Sequence, residues 1–163
     1  GTPEDQWVLS SDAGYGFIVK LSDLSSNYKA GKAILRVPEA SRPISPYPII
    51  KRDGALIATV SSIGKLLLFD ANDLPELAKG KGNKLINIPT KKFKLGEEKL
   101  VGVAIINEGD ALNIYRDEIN YMTLKWRDLQ DYIGERALRG KSYSKKFKKA
   151  TGLTAGQLPE KNK

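Results

Sequence analysis

The chain has 163 residues, a formal net charge of +8, 40% hydrophobic residues, and neither cysteine nor histidine. This length fits one domain with a core of ordinary size. Without Cys and His, disulfide frameworks, thiol nucleophiles, Ser-His-Asp triads and the common nitrogen- or sulfur-ligated zinc sites are excluded. The scattered single carboxylates do not indicate a catalytic site either. There is no run of eighteen apolar residues and no signal peptide in GTPEDQW, so we expect a cytosolic protein without a transmembrane helix.

The first predicted element is a strand that follows the glycine pair in SSDAGYGFIVKL. The alternation of Phe17, Val19 and Leu21 predicts this strand. A nucleotide-phosphate loop is not expected, because a kinase loop would have glycine where Val19 stands and a dinucleotide loop would lead into a helix. We expect Gly14 to form a hairpin turn and Gly16 to mark a bulge or a close backbone approach.

Four strands are predicted in the middle of the chain, near ALIATVS, KLLLFDA, KLINI and KLVGVAII. Turns at Gly64, at residues 80–83 and at residues 94–98 separate them. The uninterrupted apolar run LLLF predicts a strand that is buried on both faces.

The last third begins with another alternating segment. Met122, Leu124 and Trp126 predict one face of a strand, and we expect Trp126 to pack in the core, as we do for Trp7. A short helical turn is predicted near residues 129–133. No amphipathic helix of ten or more residues is apparent.

Positive charge is concentrated at the end of the chain. From Arg136 onward there are nine basic residues and one acidic residue, Glu160, so this segment carries the whole net charge. Such an asymmetry is typical of proteins that bind a polyanion, most often nucleic acid. A solubilising tail has the same composition.

The chain contains an internal repeat of about fifty residues. An Asp-Leu pair follows an apolar strand in each repeat, at Asp23, Asp73 and Asp128, and Gly64 follows Gly14 by 50 residues. Four short strands per repeat are typical of propeller blades, which bury their faces by stacking. We predict an all-β fold, an open or broken β-propeller (β-pinwheel) of about three four-stranded blades that is part of a longer domain. The predicted blades are residues 1–50, 51–106 and 107–143, and residues 144–163 form a basic, flexible tail.

Glycine-containing basic turns occupy the same slot of each repeat. A loop such as LAKGKGNKL can place backbone N–H and ammonium groups along phosphates, although a solvated hairpin turn has a similar composition. Three such loops predict an arc of positive charge that favours duplex backbones, because base-stacking aromatic residues are not clustered there. The candidate DNA-binding residues are the basic positions of these turns and two lysines of the tail: Lys29, Lys32, Lys79, Lys81, Lys84, Arg136, Arg139, Lys141, Lys145 and Lys146.

A protein-interaction module is the competing hypothesis. Acidic residues at Glu97, Glu98, Glu108 and Asp110 could form a second face for a protein partner. Binding of duplex DNA that depends steeply on salt would distinguish the two functions.

Four segments in order, SDAGYGF, AGKA, DLPELAKGKGNKLINIP and GERALRG, resemble the C-terminal domain of the bacterial DNA topoisomerase IV A subunit. The resemblance extends from about Trp7 to Gly140. The paralogous domain of the DNA gyrase A subunit has a basic box of the form Q-R-R-G-G-K-G. The nearest match here, LAKGKGN at residues 77–83, keeps G-K-G without the paired arginines, which favours topoisomerase IV over the gyrase alternative.

The resemblance implies a pinwheel whose blades exchange strands, and a role in binding and bending the transported duplex of a type IIA topoisomerase during decatenation and relaxation in chromosome segregation. It implies ATP and Mg²⁺ for the holoenzyme, but no cofactor, metal or catalytic residue in this segment, since the family's active-site tyrosine lies in another domain. The implied partners are double-stranded DNA, the topoisomerase IV B subunit, the A-subunit dimer and a chromosome-organising, condensin-like complex. The implied location is cytoplasmic and nucleoid-associated, with peripheral but no integral membrane association.

Overall fold

The computed structural model describes residues 6–20, 22, 41–49, 54–74, 76, 82–115, 121–142 and 150–156. The strands are β1 Gln6–Ser11, β2 Tyr15–Lys20, β3 Pro43–Ile49, β4 Leu56–Ser61, β5 Lys65–Asp70, β6 Asn83–Lys84, β7 Leu100–Ile106, β8 Ala111–Tyr115, β9 Tyr121–Leu124, β10 Lys141–Ser142 and β11 Gly152–Gly156. Two short α-helices, Thr90–Lys94 and Trp126–Leu129, and two 3-10 helices, Ala71–Asp73 and Gln130–Tyr132, lie between them.

The strands form three antiparallel sheets that repeat one pattern. The strand orders are β3-β1-β2-β6 in the first sheet, β7-β4-β5-β10 in the second, and β11-β8-β9 among the described residues of the third. In the first two sheets the outermost strand comes from the following repeat of the chain, since β6 pairs with β2 and β10 with β5. The prediction of an all-β, open propeller or pinwheel is confirmed.

The KLINI segment shows how the exchange works. Its strand is short, because only Asn83 and Lys84 pair, and they pair with β2 of the first sheet and not with the neighbouring strands of the middle repeat. The prediction of four strands within one middle unit is therefore wrong on this point. Strand pairing depends on contacts that are distant in the chain, which a local apolar pattern does not reveal.

The hairpin turns at Gly14 and Gly64 are equivalent. The Gly14 N–H donates to the Ser11 carbonyl and the Gly64 N–H to the Ser61 carbonyl, both at 3.0 Å. The φ angles of the two glycines are +92° and +85°, a region that glycine adopts without steric cost. The turn prediction is confirmed, and the ends of the first two sheets that carry these turns are called the hairpin end below.

Gly16 lies where three strands approach closely. A Cβ atom on Gly16 would collide with the Leu9 carbonyl oxygen of β1 and lie 3.2 Å from Leu85 Cδ1. A Cβ atom on Gly82, just before β6, would collide with the Gly16 carbonyl. Gly16 therefore allows a close backbone approach, one of the two roles predicted for it.

Two core clusters hold the sheets together. Leu67 and Phe69 of β5 point into the cluster between the first and second sheets, the first core cluster. Leu66 and Leu68 point into the second core cluster, between the second and third sheets. The LLLF strand is thus buried on both faces, as predicted, because a propeller blade is covered by a neighbour on each side.

Two further predictions are corrected near the end of the chain. Trp126 packs against the second core cluster, as expected, but it begins a helix, because the Asp128 carboxylate accepts the Lys125 N–H at 3.2 Å and caps that turn. Residues 152–156, which the charge pattern assigns to the tail, form β11 and pair with β8. This segment lies beyond the lysine run, and its Leu153 packs against the second core cluster.

Candidate nucleic-acid interface

The exchanged strands place basic residues at the outer edges of two neighbouring sheets. Lys84 lies in β6 and Lys141 in β10, at adjacent positions of equivalent strands, because Asn83 pairs with Gly16 and Lys141 with Leu66. Lys141 is exposed and donates to the Asp131 carbonyl at 3.2 Å. Lys84 is half-buried, and its Nζ lies 3.4 Å from Asn87 Oδ1. Each lysine lies on the outermost strand of its own sheet, and Lys141 is the more exposed of the two.

Arg136 is bonded to the protein backbone. Its Nε donates to the Asp73 carbonyl at 3.0 Å and its NH1 to the Lys84 carbonyl at 2.7 Å. These bonds tie the segment before β10 to the 3-10 helix Ala71–Asp73 and to β6. Guanidinium groups satisfy carbonyls in a fixed geometry, so Arg136 stabilises the strand exchange.

Arg139 makes an internal ion pair. Its NH1 lies 2.7 Å from both the Asn87 carbonyl and Glu98 Oε2. The Glu98 side chain is fully buried, whereas one third of the Arg139 side chain is exposed. The other carboxylate oxygen of Glu98 has no hydrogen-bond partner among the described residues. Arg139 is therefore the charge that compensates a buried carboxylate.

The backbone reinforces the two arginines. The Ala137 N–H donates to the Leu85 carbonyl at 3.1 Å, and the Asn87 N–H donates to the Leu138 carbonyl at 2.8 Å. Backbone hydrogen bonds thus join the GERALRG segment to the residues that follow β6. Its basic residues contribute to the fold in a way that a charge pattern does not indicate.

Two of the four acidic residues predicted to form a second face bond to the protein itself. Glu98 is buried against Arg139 and is not a surface acid. The Asp110 carboxylate accepts the Asn107 N–H at 2.9 Å and closes the turn between β7 and β8. Of the four acidic positions, Glu97 and Glu108 are exposed.

Six of the ten predicted site residues lie outside the described residues: Lys29, Lys32, Lys79, Lys81, Lys145 and Lys146. Two of the predicted loops end in the same way. Gly82 and Gly140, which directly precede β6 and β10, have matching φ angles of +83° and +80°, as expected for equivalent positions of the repeat. In the sequence, Lys81 directly precedes Gly82 as Arg139 precedes Gly140.

Three exposed lysines of the helix Thr90–Lys94 are not among the residues predicted from the sequence: Lys91, Lys92 and Lys94. A signal for them was present, because KKFK at residues 91–94 recurs at residues 145–148. The second copy contains two predicted site residues, so a search for the repeat would have identified the first copy.

Further features of the described part of the chain concern membrane spans, metal sites and a shifted pKa. No helix there has the length and apolar character needed to cross a membrane. The same residues contain no group of three or more acidic side chains that could hold a metal ion. Burial raises the pKa of the Tyr132 hydroxyl above 10.0, and the nearby carboxylates Asp131 and Asp128 raise it further.

Comparison with known proteins gives a consistent result. The family model of the DNA gyrase C-terminal domain, beta-propeller, matches residues 5–40 and 55–107. The A subunit of DNA topoisomerase 4 from Pseudomonas aeruginosa is 39% identical over 160 residues, which are 97% of this chain and 21% of that protein. The Haemophilus influenzae protein of the same name is 39% identical over 137 residues, 84% of this chain and 18% of that protein.

A solved structure extends the likeness to three dimensions. The structure of the E. coli ParC C-terminal domain matches with a TM-score of 0.81 and 27% identity, covering 97% of this chain and 63% of that chain. This chain spans about a fifth of the length of the Pseudomonas and Haemophilus relatives. The family model matches more than half of the chain, and the sheets have the architecture that this family predicts. The chain therefore belongs to the family of DNA gyrase C-terminal domain β-propellers and resembles the topoisomerase IV A subunit, as its motifs predicted.

Proposed function

We propose that this chain is a duplex-binding, non-catalytic domain of a type IIA topoisomerase of the topoisomerase IV kind. It binds and bends the transported duplex and so positions it for ATP-dependent strand passage. The observation that carries the proposal is the repeated strand exchange, which places Lys84 and Lys141 on equivalent outermost strands of adjacent sheets. Membership of the family and the similarity to the A subunit of topoisomerase 4 support it.

Binding on such a surface is driven by neutralisation of phosphates. Each phosphate contact releases counterions, and the binding constant then falls with salt. Lys84 and Lys141 lie on short edge strands and not on an element that would enter the major groove. Contacts therefore fall on the DNA backbone, and sequence preference is weak. Cations spaced along a curved rim favour a bent duplex, at a cost of about 1–6 kcal/mol for a moderate bend.

The wider assembly follows from the same proposal. The partners are the A-subunit dimer and the topoisomerase IV B subunit, while ATP and Mg²⁺ serve the catalytic part of the holoenzyme, and the location is the cytoplasmic nucleoid. No feature of the described residues favours docking of a chromosome-organising complex, because Glu98, one of the four acidic residues predicted for such a face, is buried.

The test is a salt titration of duplex binding. Fluorescence anisotropy with the 163-residue chain and a duplex of about 30 bp would be measured between about 50 and 200 mM salt. The plot of log binding constant against log salt should have a slope of about −0.9 for every phosphate contacted. Absence of binding at the lowest salt, or a slope near zero, would refute the proposal.

Variants locate the contact. Replacing Lys84 and Lys141 together by alanine should make the slope less negative by about 1.8, the value for two phosphate contacts. The matched control is the double variant K125A/R127A. It removes two exposed charges at the helix Trp126–Leu129, which begins where β9 ends in the third sheet. A control with the same effect as the test variant would show that net charge alone, and not this edge, governs binding.

A further inference from the structure

The helix Thr90–Lys94 lies at the hairpin end of the first two sheets. The connection that contains it starts at the first turn, where the Leu85 N–H donates to the Gly14 carbonyl at 2.7 Å. It finishes beside both turns, where the Leu100 N–H donates to the Asp12 carbonyl at 2.8 Å and the Ser62 N–H to the Lys99 carbonyl at 2.7 Å. The helix is therefore held between two fixed points of the fold.

This helix of five residues is fixed to the protein on one side and at its C-terminal end. Phe93 packs against the first core cluster and anchors the inner side. Beyond the last turn, Gly96 has a φ of +75°, and the Glu97 N–H donates to the Lys92 carbonyl at 2.9 Å. Glu98 follows immediately and is locked into its ion pair with Arg139.

The sides of the helix away from Phe93 carry positive charge. At about 100° per residue, Lys91 lies nearly opposite Phe93, with Lys92 and Lys94 on either side of it. All three lysines are exposed, and none of their side chains has a hydrogen-bond or ion-pair partner among the described residues. Lys84, Lys141, Arg136 and Arg139, in contrast, all have internal partners.

Unpaired cations this close together repel one another. Like charges three or four residues apart destabilise a helix by a few tenths of a kcal/mol. The arrangement is stable here because Phe93 and Glu98 hold the helix from the protein side. An external anion would relieve the repulsion.

The same motif recurs in the equivalent connection of the next repeat. KKFK at residues 91–94 lies between β6 and β7, and KKFK at residues 145–148 lies between β10 and β11. The flanks of the second copy contact the second turn, since Ser142 pairs with Lys65 and the Ala150 N–H donates to the Ser62 carbonyl at 3.2 Å. Residues 145–148 themselves lie outside the described residues.

We propose that Lys91, Lys92 and Lys94 form a second phosphate-contacting surface at the hairpin end, which binds the sugar-phosphate backbone of a duplex. This inference rests on the proposed function and adds to it a set of contacts beyond the exchanged strands. Lys84 lies seven residues before Lys91 on the same connection, which favours a shared duplex over a separate acidic protein. A five-residue helix is about 7.5 Å long and spans about two nucleotide steps of one strand, so its three lysines suit two or three successive phosphates.

The experiment uses the same anisotropy titration with the variant K91A/K94A and the charge-matched control K125A/R127A. The wild-type chain should bind, and K91A/K94A should make the salt slope less negative by about 1.8 and weaken binding at the lowest salt by about tenfold or more. The control should keep the wild-type slope. K91R/K94R, which preserves both charges, should restore the wild-type slope, and circular dichroism melting checks that all variants fold.

The outcomes separate the two proposals. If the wild-type chain binds with a steep slope and K91A/K94A has the same slope, the lysine helix does not contact the duplex and this inference is overturned while the proposed function stands. If the wild-type chain does not bind duplex DNA at all, the proposed function fails and this inference fails with it. A loss in K91A/K94A that K91R/K94R does not restore would also overturn it, because phosphate attraction depends on charge.

Discussion

Replacing Arg139 by alanine should destabilise the fold more than an ordinary surface substitution. The change removes the partner of a fully buried carboxylate, Glu98, and the donor to the Asn87 carbonyl. One oxygen of Glu98 already has no partner among the described residues, so the other would lose its hydrogen bond to the guanidinium. The variant is left with a buried, uncompensated negative charge.

The magnitude follows from the asymmetry of the pair. Removing one partner of a buried ion pair costs about 3–5 kcal/mol. We expect about 3 kcal/mol for Arg139→Ala, the lower end, because water can enter through the space that the one-third exposed arginine leaves. Glu98→Ala should cost less, about 1–2 kcal/mol, since the remaining guanidinium reaches solvent and keeps its bond to Asn87.

The assay is urea unfolding followed by the fluorescence of the two tryptophans. With a slope of about 2 kcal/mol per molar urea, Arg139→Ala should lower the midpoint by about 1.5 M. The double variant R139A/E98A is the control, and it should be more stable than the sum of the single effects predicts by more than about 1 kcal/mol. The reasoning is refuted if Arg139→Ala lies within about 0.5 kcal/mol of wild type, or if the two single effects simply add.

Three further predictions use the same unfolding assay. Gly16→Ala should lower the free energy of unfolding by about 3 kcal/mol, because its Cβ would collide with a main-chain carbonyl. The control is Gly152→Ala in β11, where a Cβ meets no other atom, and it should be neutral or stabilising by up to about 1 kcal/mol. Equal unfolding midpoints for the two variants would contradict this. Arg136→Ala loses two hydrogen bonds to carbonyls and should cost about 2 kcal/mol, and a loss below about 0.5 kcal/mol would contradict its structural role. Because the pKa of Tyr132 is raised in the folded chain, this hydroxyl ionises first in the unfolded chain. The neutral hydroxyl therefore contributes fully to the free energy of unfolding below pH 10.0, and this contribution is lost as the pH rises from there through the folded pKa. Tyr132→Phe should therefore reduce the fall in stability above about pH 10, and an unchanged fall would argue against burial of the hydroxyl.

Much of the local structure could be predicted from the sequence. The turn at Gly14 and its copy at Gly64 follow from the repeat, and the buried LLLF strand follows from an uninterrupted apolar run. These features depend on neighbours in the chain, so periodicity and turn chemistry are enough. The helix at Trp126 was missed because capping by Asp128 prevailed over an alternating pattern.

The site was less predictable than the fold. Charge and position in the repeat select ten basic residues, and the four that are described all have internal partners. Lys91, Lys92 and Lys94, whose side chains have no partner among the described residues, stand in a motif that only its repetition would have revealed. A charge count does not distinguish a cation that faces solvent from one that satisfies the protein.

The repeat, the β-rich blades, the hairpin turns and the excess of positive charge can all be recognised in the amino-acid sequence. Which sheet receives each exchanged strand, and which basic side chains bond to the protein itself, became visible in the folded chain. The reason is physical: a strand or turn is set by residues a few positions apart, whereas the partner of Arg139 lies 41 positions away along the chain. Whether a charge is free to meet a phosphate depends on what folding brings within hydrogen-bond distance of it.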